Sequence, residues 1–247
     1  MSSATALSSA FNWSPILNSL KFRVIVFVCF LSAFDAGTLP AQTLRFRVVY
    51  GQEPVEWGKK YFSSSSQERF IFSRISFYLS EFSWSGSGGR TVNEPERVEL
   101  MQAGEEENTM LIKTPFQPSE ICFRFGLDSA LQVSGKTTGA LDPALGMYWA
   151  WNTGYIQCKL EGFSPNSGSK KGDFEFHLGG YTMPYPTDFY VCLQIRDSNR
   201  KPEVHLDLKP LMDTISLEKT WSVLTPGPTA RKMAQKLGES FVIADSE

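Results

Sequence analysis

Apolar and polar residues alternate with period two in six separate stretches of this chain, and that pattern constrains the fold more than any other feature. Leu44, Phe46, Val48 and Tyr50 point one way, with Arg45 and Arg47 opposite. Ile71, Ser73, Ile75, Phe77 and Leu79 form a longer run. Ile121, Phe123 and Phe125 form a third, with Arg124 opposite. Ile156, Cys158 and Leu160 alternate with Gln157 and Lys159, Phe174, Phe176 and Leu178 with Glu175 and His177, and Val204, Leu206 and Leu208 with His205 and Asp207. Side chains of a strand point alternately to its two faces, so this is the pattern of half-buried strands. Turn-forming stretches at 63–66, 85–89, 134–139, 164–172 and 197–202 separate the runs. Helical spacing is confined to the C-terminal part. There Pro228 suits a first helical turn, and Ala230, Met233, Ala234, Leu237 and Phe241 recur at three and four. A short helical turn near Leu208–Asp213 is compatible with Pro210. The expected fold is all-β, an antiparallel β-sandwich with a short C-terminal helix.

The N-terminal region reads differently. Lys21 and Arg23 precede the apolar run 24–34, which is followed by small and turn-forming residues up to Ala41. These are the parts of a secretory signal peptide, and the run falls short of the roughly 20 apolar residues that a membrane span needs. The sequence therefore predicts a signal peptide over 1–41 and a single domain over 42–247. The mature chain would be periplasmic or extracellular, with no transmembrane anchor after cleavage. Loss of Lys21, Arg23 and Asp35 removes a net +1, taking the formal charge from −2 to −3. Both signs are mixed along the chain, so it lacks the basic footprint of a nucleic-acid binder. The run Glu105–Glu107 reads as a solvated loop.

Cleavage also removes Cys29 and leaves Cys122, Cys158 and Cys192, an odd set in apolar surroundings. Buried free thiols are the expectation, and one bridge between two of the three is the alternative.

Catalytic signatures are missing. The chain has no G-x-S-x-G elbow, H-E-x-x-H helix, Walker loop, C-x-x-C pair or dinucleotide fingerprint. The two histidines, His177 and His205, each lie on the polar side of a strand, with Glu175 and Asp207 two residues away. Imidazole is the commonest protein metal ligand at neutral pH, which makes both candidate metal ligands. A lone strand histidine also serves as an ordinary hydrogen-bonded residue. Trp149, Trp151 and Tyr155 alternate in register, so one strand face would carry three large aromatics. That face would pack on the core, stack sugar rings or hold a redox-active ring beside a metal.

Several motifs carry a resemblance. Phe-Gly-Leu-Asp at 125–128, Leu-Asp-Pro at 141–143, Gly-Met-Tyr-Trp-Ala-Trp-Asn-Thr-Gly-Tyr at 146–155, Leu-Glu-Gly at 160–162 and Phe-His-Leu-Gly-Gly-Tyr at 176–181 follow one another in order. Together with Arg74–Ser80 and Pro226–Ala230 they resemble the MbnP-like family over about residues 44–243, and most closely its Bacteroidetes-type branch. The resemblance implies an exported, non-enzymatic β-sandwich related to copper-binding proteins of methane-oxidising bacteria. In those relatives copper sits between histidines and an oxidised tryptophan. His177, in Phe-His-Leu-Gly, is the ligand that carries over. Where the family tryptophan would stand, this chain has Gln102–Asn108, with no Trp or His.

Two readings follow. In the first, the protein binds copper through His177 and His205; a shared site needs both rings within about 4 Å of a common point. In the second, it is a metal-free glycan- or protein-binding module that uses Tyr148 or Tyr185 and the irregular loops.

Overall fold

The computed structural model describes residues 42–104, 108–149, 151, 154–196 and 202–245, which belong to one compact unit, Leu39–Glu247. The proposed signal peptide, the Glu105–Glu107 run and most of the 197–202 turn lie outside the described residues. In chain order the strands are β1 (Gln42–Tyr50), β2 (Glu53–Pro54), β3 (Tyr61–Phe62), β4 (Arg69–Ser85), β5 (Thr91–Ala103), β6 (Thr109–Thr114), β7 (Glu120–Phe125), β8 (Tyr148–Trp149), β9 (Gly154–Phe163), β10 (Asp173–Gly179), β11 (Phe189–Gln194), β12 (Pro202–Asp207), β13 (Ser222–Val223) and β14 (Phe241–Asp245). Three α-helices accompany them: α1 (Ser129–Val133), α2 (Lys209–Met212) and α3 (Pro228–Gly238).

Two sheets enclose the core. The smaller runs β14-β12-β1, with β6 and β2 succeeding one another along the far edge of β1. The larger runs β11-β7-β4-β9-β10-β13, with β5 along the other edge of β4. The mostly-β expectation holds, but the sheets are mixed rather than purely antiparallel, because β1 pairs β12 in parallel and β10 pairs β13 in parallel. The C-terminal helix forms where predicted and buries Ala230, Met233, Ala234 and Leu237. Phe241 leaves it to begin β14, so the last described element is a strand. α2 also forms, with Pro210 in its first turn.

The 17-residue strand β4 organises both layers. Register shifts between Phe72 and Arg74, and between Ser80 and Phe82, reset its inward face twice. Phe70 and Phe72, then Ile75, Phe77 and Leu79, then Phe82 and Trp84 all reach the main core. This corrects the single alternation read from Ile71 to Leu79. An irregularity in one strand changes which parity faces inward, and Ile71 is turned outward with Phe163 as its partner. Glu81, in the second shift, has φ +51°. Its carboxylate accepts a 2.9 Å hydrogen bond from Arg124 across to β7.

Of the two cysteine readings, one bridge rather than three free thiols is what forms. Cys122 and Cys192 face each other across β7 and β11 and form a disulfide, with Cα atoms 4.1 Å apart. Only Cys158 matches the free-thiol expectation; it is buried in the main core, where burial pushes its thiol pKa up.

Candidate functional site

The outward face of the large sheet carries a second apolar cluster, built by the excursion between β7 and β9. Tyr78, Leu127, Leu131, Leu141, Met147, Trp149 and Tyr155 pack there, separate from the main core. Two buried glutamines fasten the excursion by imitating backbone pairing. Gln157 accepts from Leu127 N at 2.7 Å and donates to Leu127 O at 2.9 Å. Gln132 on α1 accepts from Tyr155 N at 2.7 Å, and the Asp128 side chain caps that helix by accepting from Leu131 N. The Tyr155 hydroxyl lies 2.6 Å from Lys136 O and 2.9 Å from Leu141 O, anchoring the far end.

Trp149, Trp151 and Tyr155 do not share one strand. Trp149 and Gly154 are antiparallel partners, so the chain reverses between β8 and β9. Trp149 is buried against Gly179 of β10, where an added methyl would come within 2.6 Å of its ring. Trp151 is 63% exposed and packs on Trp149 with ring centroids 5.4 Å apart. Two clefts open beside this group. One, of about 460 Å³, is lined by Trp149, Tyr155, Gly180, Tyr181, Thr182 and Pro226 among others. The other, of about 290 Å³, is lined by Gln132, Val133, Thr137, Tyr148, Tyr155 and Tyr181 among others. They share Tyr155 and Tyr181, and among the described residues no Asp, Glu, Lys, Arg or His lines either. Met183 and Tyr185 are exposed on the adjoining loop, which Thr187 closes by donating to Gly180 O through both N and Oγ1.

His177 lies on the same outward face. Ser76, Lys159 and His177 are side by side across β4, β9 and β10, and Arg74, Glu161 and Glu175 form the next row. His177 Nε2 is 2.7 Å from Glu161 Oε1, and Arg74 reaches the other oxygen at 3.9 Å. The hydrogen bond from His177 is the main reason that the Glu161 carboxyl is held below its ordinary pKa. Burial lowers the pKa of neighbouring Lys159.

His205 sits on the outward face of the small sheet. Its Nε2 is 3.1 Å from Glu203, which also pairs with Arg45 at 2.7 Å and Arg47 at 3.3 Å. The strand neighbours of each histidine, Phe176 and Leu178 for His177 and Val204 and Leu206 for His205, all enter the main core. The core therefore lies between the two rings, and the expected two-histidine site does not form.

Neither histidine has a donor set that suits copper. Each offers one imidazole and one carboxylate, and in each case the carboxylate is already shared with at least one guanidinium that would repel a metal cation. Among the described residues, no three His, Cys, Asp or Glu side chains come together as a metal-holding group.

The MbnP family profile matches residues 40–229, which include the second cluster, both clefts and both histidines. The chain belongs to the MbnP family. Among solved structures it is similar to MbnP from Methylosinus trichosporium, with a TM-score of 0.53 and 17% identity over 70% of this chain and 77% of that one. At that identity the likeness speaks to the fold alone. No curated protein matched the chain.

The sequence alone points to His177, His205, Trp149, Trp151, Tyr155, Tyr148 and Tyr185. It does not single out Tyr181, Thr182, Gln132 or Thr137 as cleft residues. Tyr181 is visible only as the end of the Gly-Gly-Tyr motif, and nothing local in the chain ties the 132–137 segment to it.

Proposed function

We propose that this MbnP-family chain is an exported, non-enzymatic binding protein that takes an uncharged carbohydrate in the aromatic clefts beside Tyr181. The observation that carries this reading is the lining: aromatic rings, hydroxyls, an amide and backbone, with no formally charged side chain among the described residues. A sugar ring offers apolar C–H faces to stack on aromatics and hydroxyls to pair with amide and carbonyl groups. An ionic ligand would find no counter-charge there. Trp151, exposed beside Trp149, extends the stacking surface beyond the clefts.

Export is supported by the leader pattern and by the Cys122–Cys192 bridge, since disulfides persist in oxidising compartments. The histidines are engaged otherwise than in a catalytic dyad. Among the described residues, each Nε2 is engaged by a glutamate, and no hydroxyl or thiol nucleophile is bonded to it. The copper reading loses support for the reasons given by the donor sets.

A neutral-glycan array probed in the presence of a chelator tests the proposal. The expected outcome is retention of a set of neutral glycans by wild type and its loss in Tyr181→Ala. The proposal fails if no glycan is retained. It also fails if wild type holds stoichiometric copper that His177→Ala abolishes.

A further inference from the structure

A third groove, of about 430 Å³, lies where Lys60, just before β3, the start of β4 and the end of β9 meet the 164–172 loop. Its apolar lining includes Phe70, Ile71 and Phe163, the last of these half exposed. Lys60, Arg69 and Lys171 also line it, and among the described residues no carboxylate does. Elsewhere on the sheets Arg45, Arg47, Arg74, Arg97 and Arg124 each have a carboxylate partner. The side chains of Lys60, Arg69 and Lys171 have none among the described residues.

Two of the three cations sit on a shared hydrogen-bonded framework. Ser164 Oγ donates to Arg69 O at 2.6 Å, Arg69 N donates to Asn166 Oδ1 at 3.2 Å, and Ser164 N donates to Gly172 O at 2.7 Å. Ser164, next to Phe163, therefore ties the strand bearing Arg69 to Gly172, the residue after Lys171.

We propose that this groove is a second ligand site, for a small amphiphilic anion: a phosphate, sulfate or carboxylate group on a flat apolar body. The anionic group pairs with Arg69 and the two lysines, and the flat body lies against Phe163 and Ile71. A neutral apolar molecule would cover the floor but leave the three exposed cations at its rim without a counter-charge. A bare anion would pair with the cations but bury little apolar surface. Only a molecule with both parts satisfies the whole lining. The site is independent of the carbohydrate reading, since it shares no lining residue with the clefts.

The test is calorimetric titration of the mature chain with 1-naphthyl phosphate, 1-naphthol and inorganic phosphate. Saturable binding of 1-naphthyl phosphate is expected, with each of the other two at least about tenfold weaker. Arg69→Gln combined with Lys171→Gln weakens binding of 1-naphthyl phosphate by about tenfold or more, as expected when charge-assisted hydrogen bonds are lost. Phe163→Ser weakens it comparably, and Trp151→Ala leaves it unchanged. Thermal melts of each variant check that it is folded. Equal binding of 1-naphthol, unchanged binding in the folded charge variant, or no saturable binding in wild type overturns the proposal.

Discussion

On the small sheet the outward residues of β1 and β12 include Arg45, Arg47, Glu203 and His205, joined in one ion-paired network. On the large sheet the outward face begins with a comparable group, Arg74, Glu161 and His177, but the next part of it is roofed by the 127–149 excursion and becomes a second apolar cluster. The histidine environments are near duplicates across the core, each an imidazole on a glutamate with arginine behind it. What distinguishes the faces is therefore not the histidines. It is the roof, with the aromatic clefts that open beside it. A residue type present on both faces in the same setting is a poor marker of a site, whereas a structure found on one face alone is a good one.

The largest effect that would sharpen this contrast is expected at Trp149. Truncation to Ala removes a buried indole packed on Gly179 and should cost about 3–5 kcal/mol in urea unfolding. Val242→Ala, at a 48% exposed position on the small sheet, should change stability by no more than about 0.5 kcal/mol. Equal costs would mean that the roof is not a packed layer.

A smaller effect compares the two glutamates. The side chain of Glu203 is 6% exposed and serves Arg45, Arg47 and His205, so Glu203→Gln should cost about 1–3 kcal/mol at neutral pH. Glu161 is 23% exposed and its arginine is more distant, so Glu161→Gln should cost no more than about 1 kcal/mol. Both carboxyls are held below their ordinary pKa. For Glu161 the leading cause is the hydrogen bond from His177. For Glu203 burial opposes the shift, but bonds from His205 and Arg45 outweigh it. A depressed carboxylate stabilises the fold fully above its unfolded pKa and loses that contribution as pH falls through the folded value. The difference between wild type and either variant should therefore shrink steadily below about pH 4.5. Unfolding midpoints at neutral and acidic pH measure this, and a difference that grows on acidification would contradict it.

Much of this fold was legible as alternation. β1, β7, β10 and β12 lie where period two put them, and the α3 stripe buries as its spacing required. The two register shifts in β4 were not legible, because each is set by its cross-strand neighbours rather than by the local residues. Nor was the Cys122–Cys192 bridge, which depends on β7 and β11 being adjacent although their cysteines are 70 residues apart. The candidate site was legible only in part. Trp149 and Tyr148 stood out by their size, but period two placed Trp149, Trp151 and Tyr155 on one strand, whereas the chain reverses between them. Gln132 and Gln157 look like ordinary polar residues in sequence. Their role as buried clasps appears only when the excursion is laid over the sheet. The histidines attracted attention because they are few, and their number says nothing about which face they occupy.

If the ligand is held by the aromatic clefts and not by the histidines, a residue that lines both clefts decides it. The measurement is fluorescence titration, in chelator, of the tightest glycan from the array against wild type, Tyr181→Ala and His177→Ala combined with His205→Ala. Tyr181→Ala should lose about tenfold or more, in line with the loss of a stacked aromatic, and the double histidine variant should keep wild-type affinity. Wild-type affinity in Tyr181→Ala together with lost binding in the histidine variant would overturn the cleft assignment.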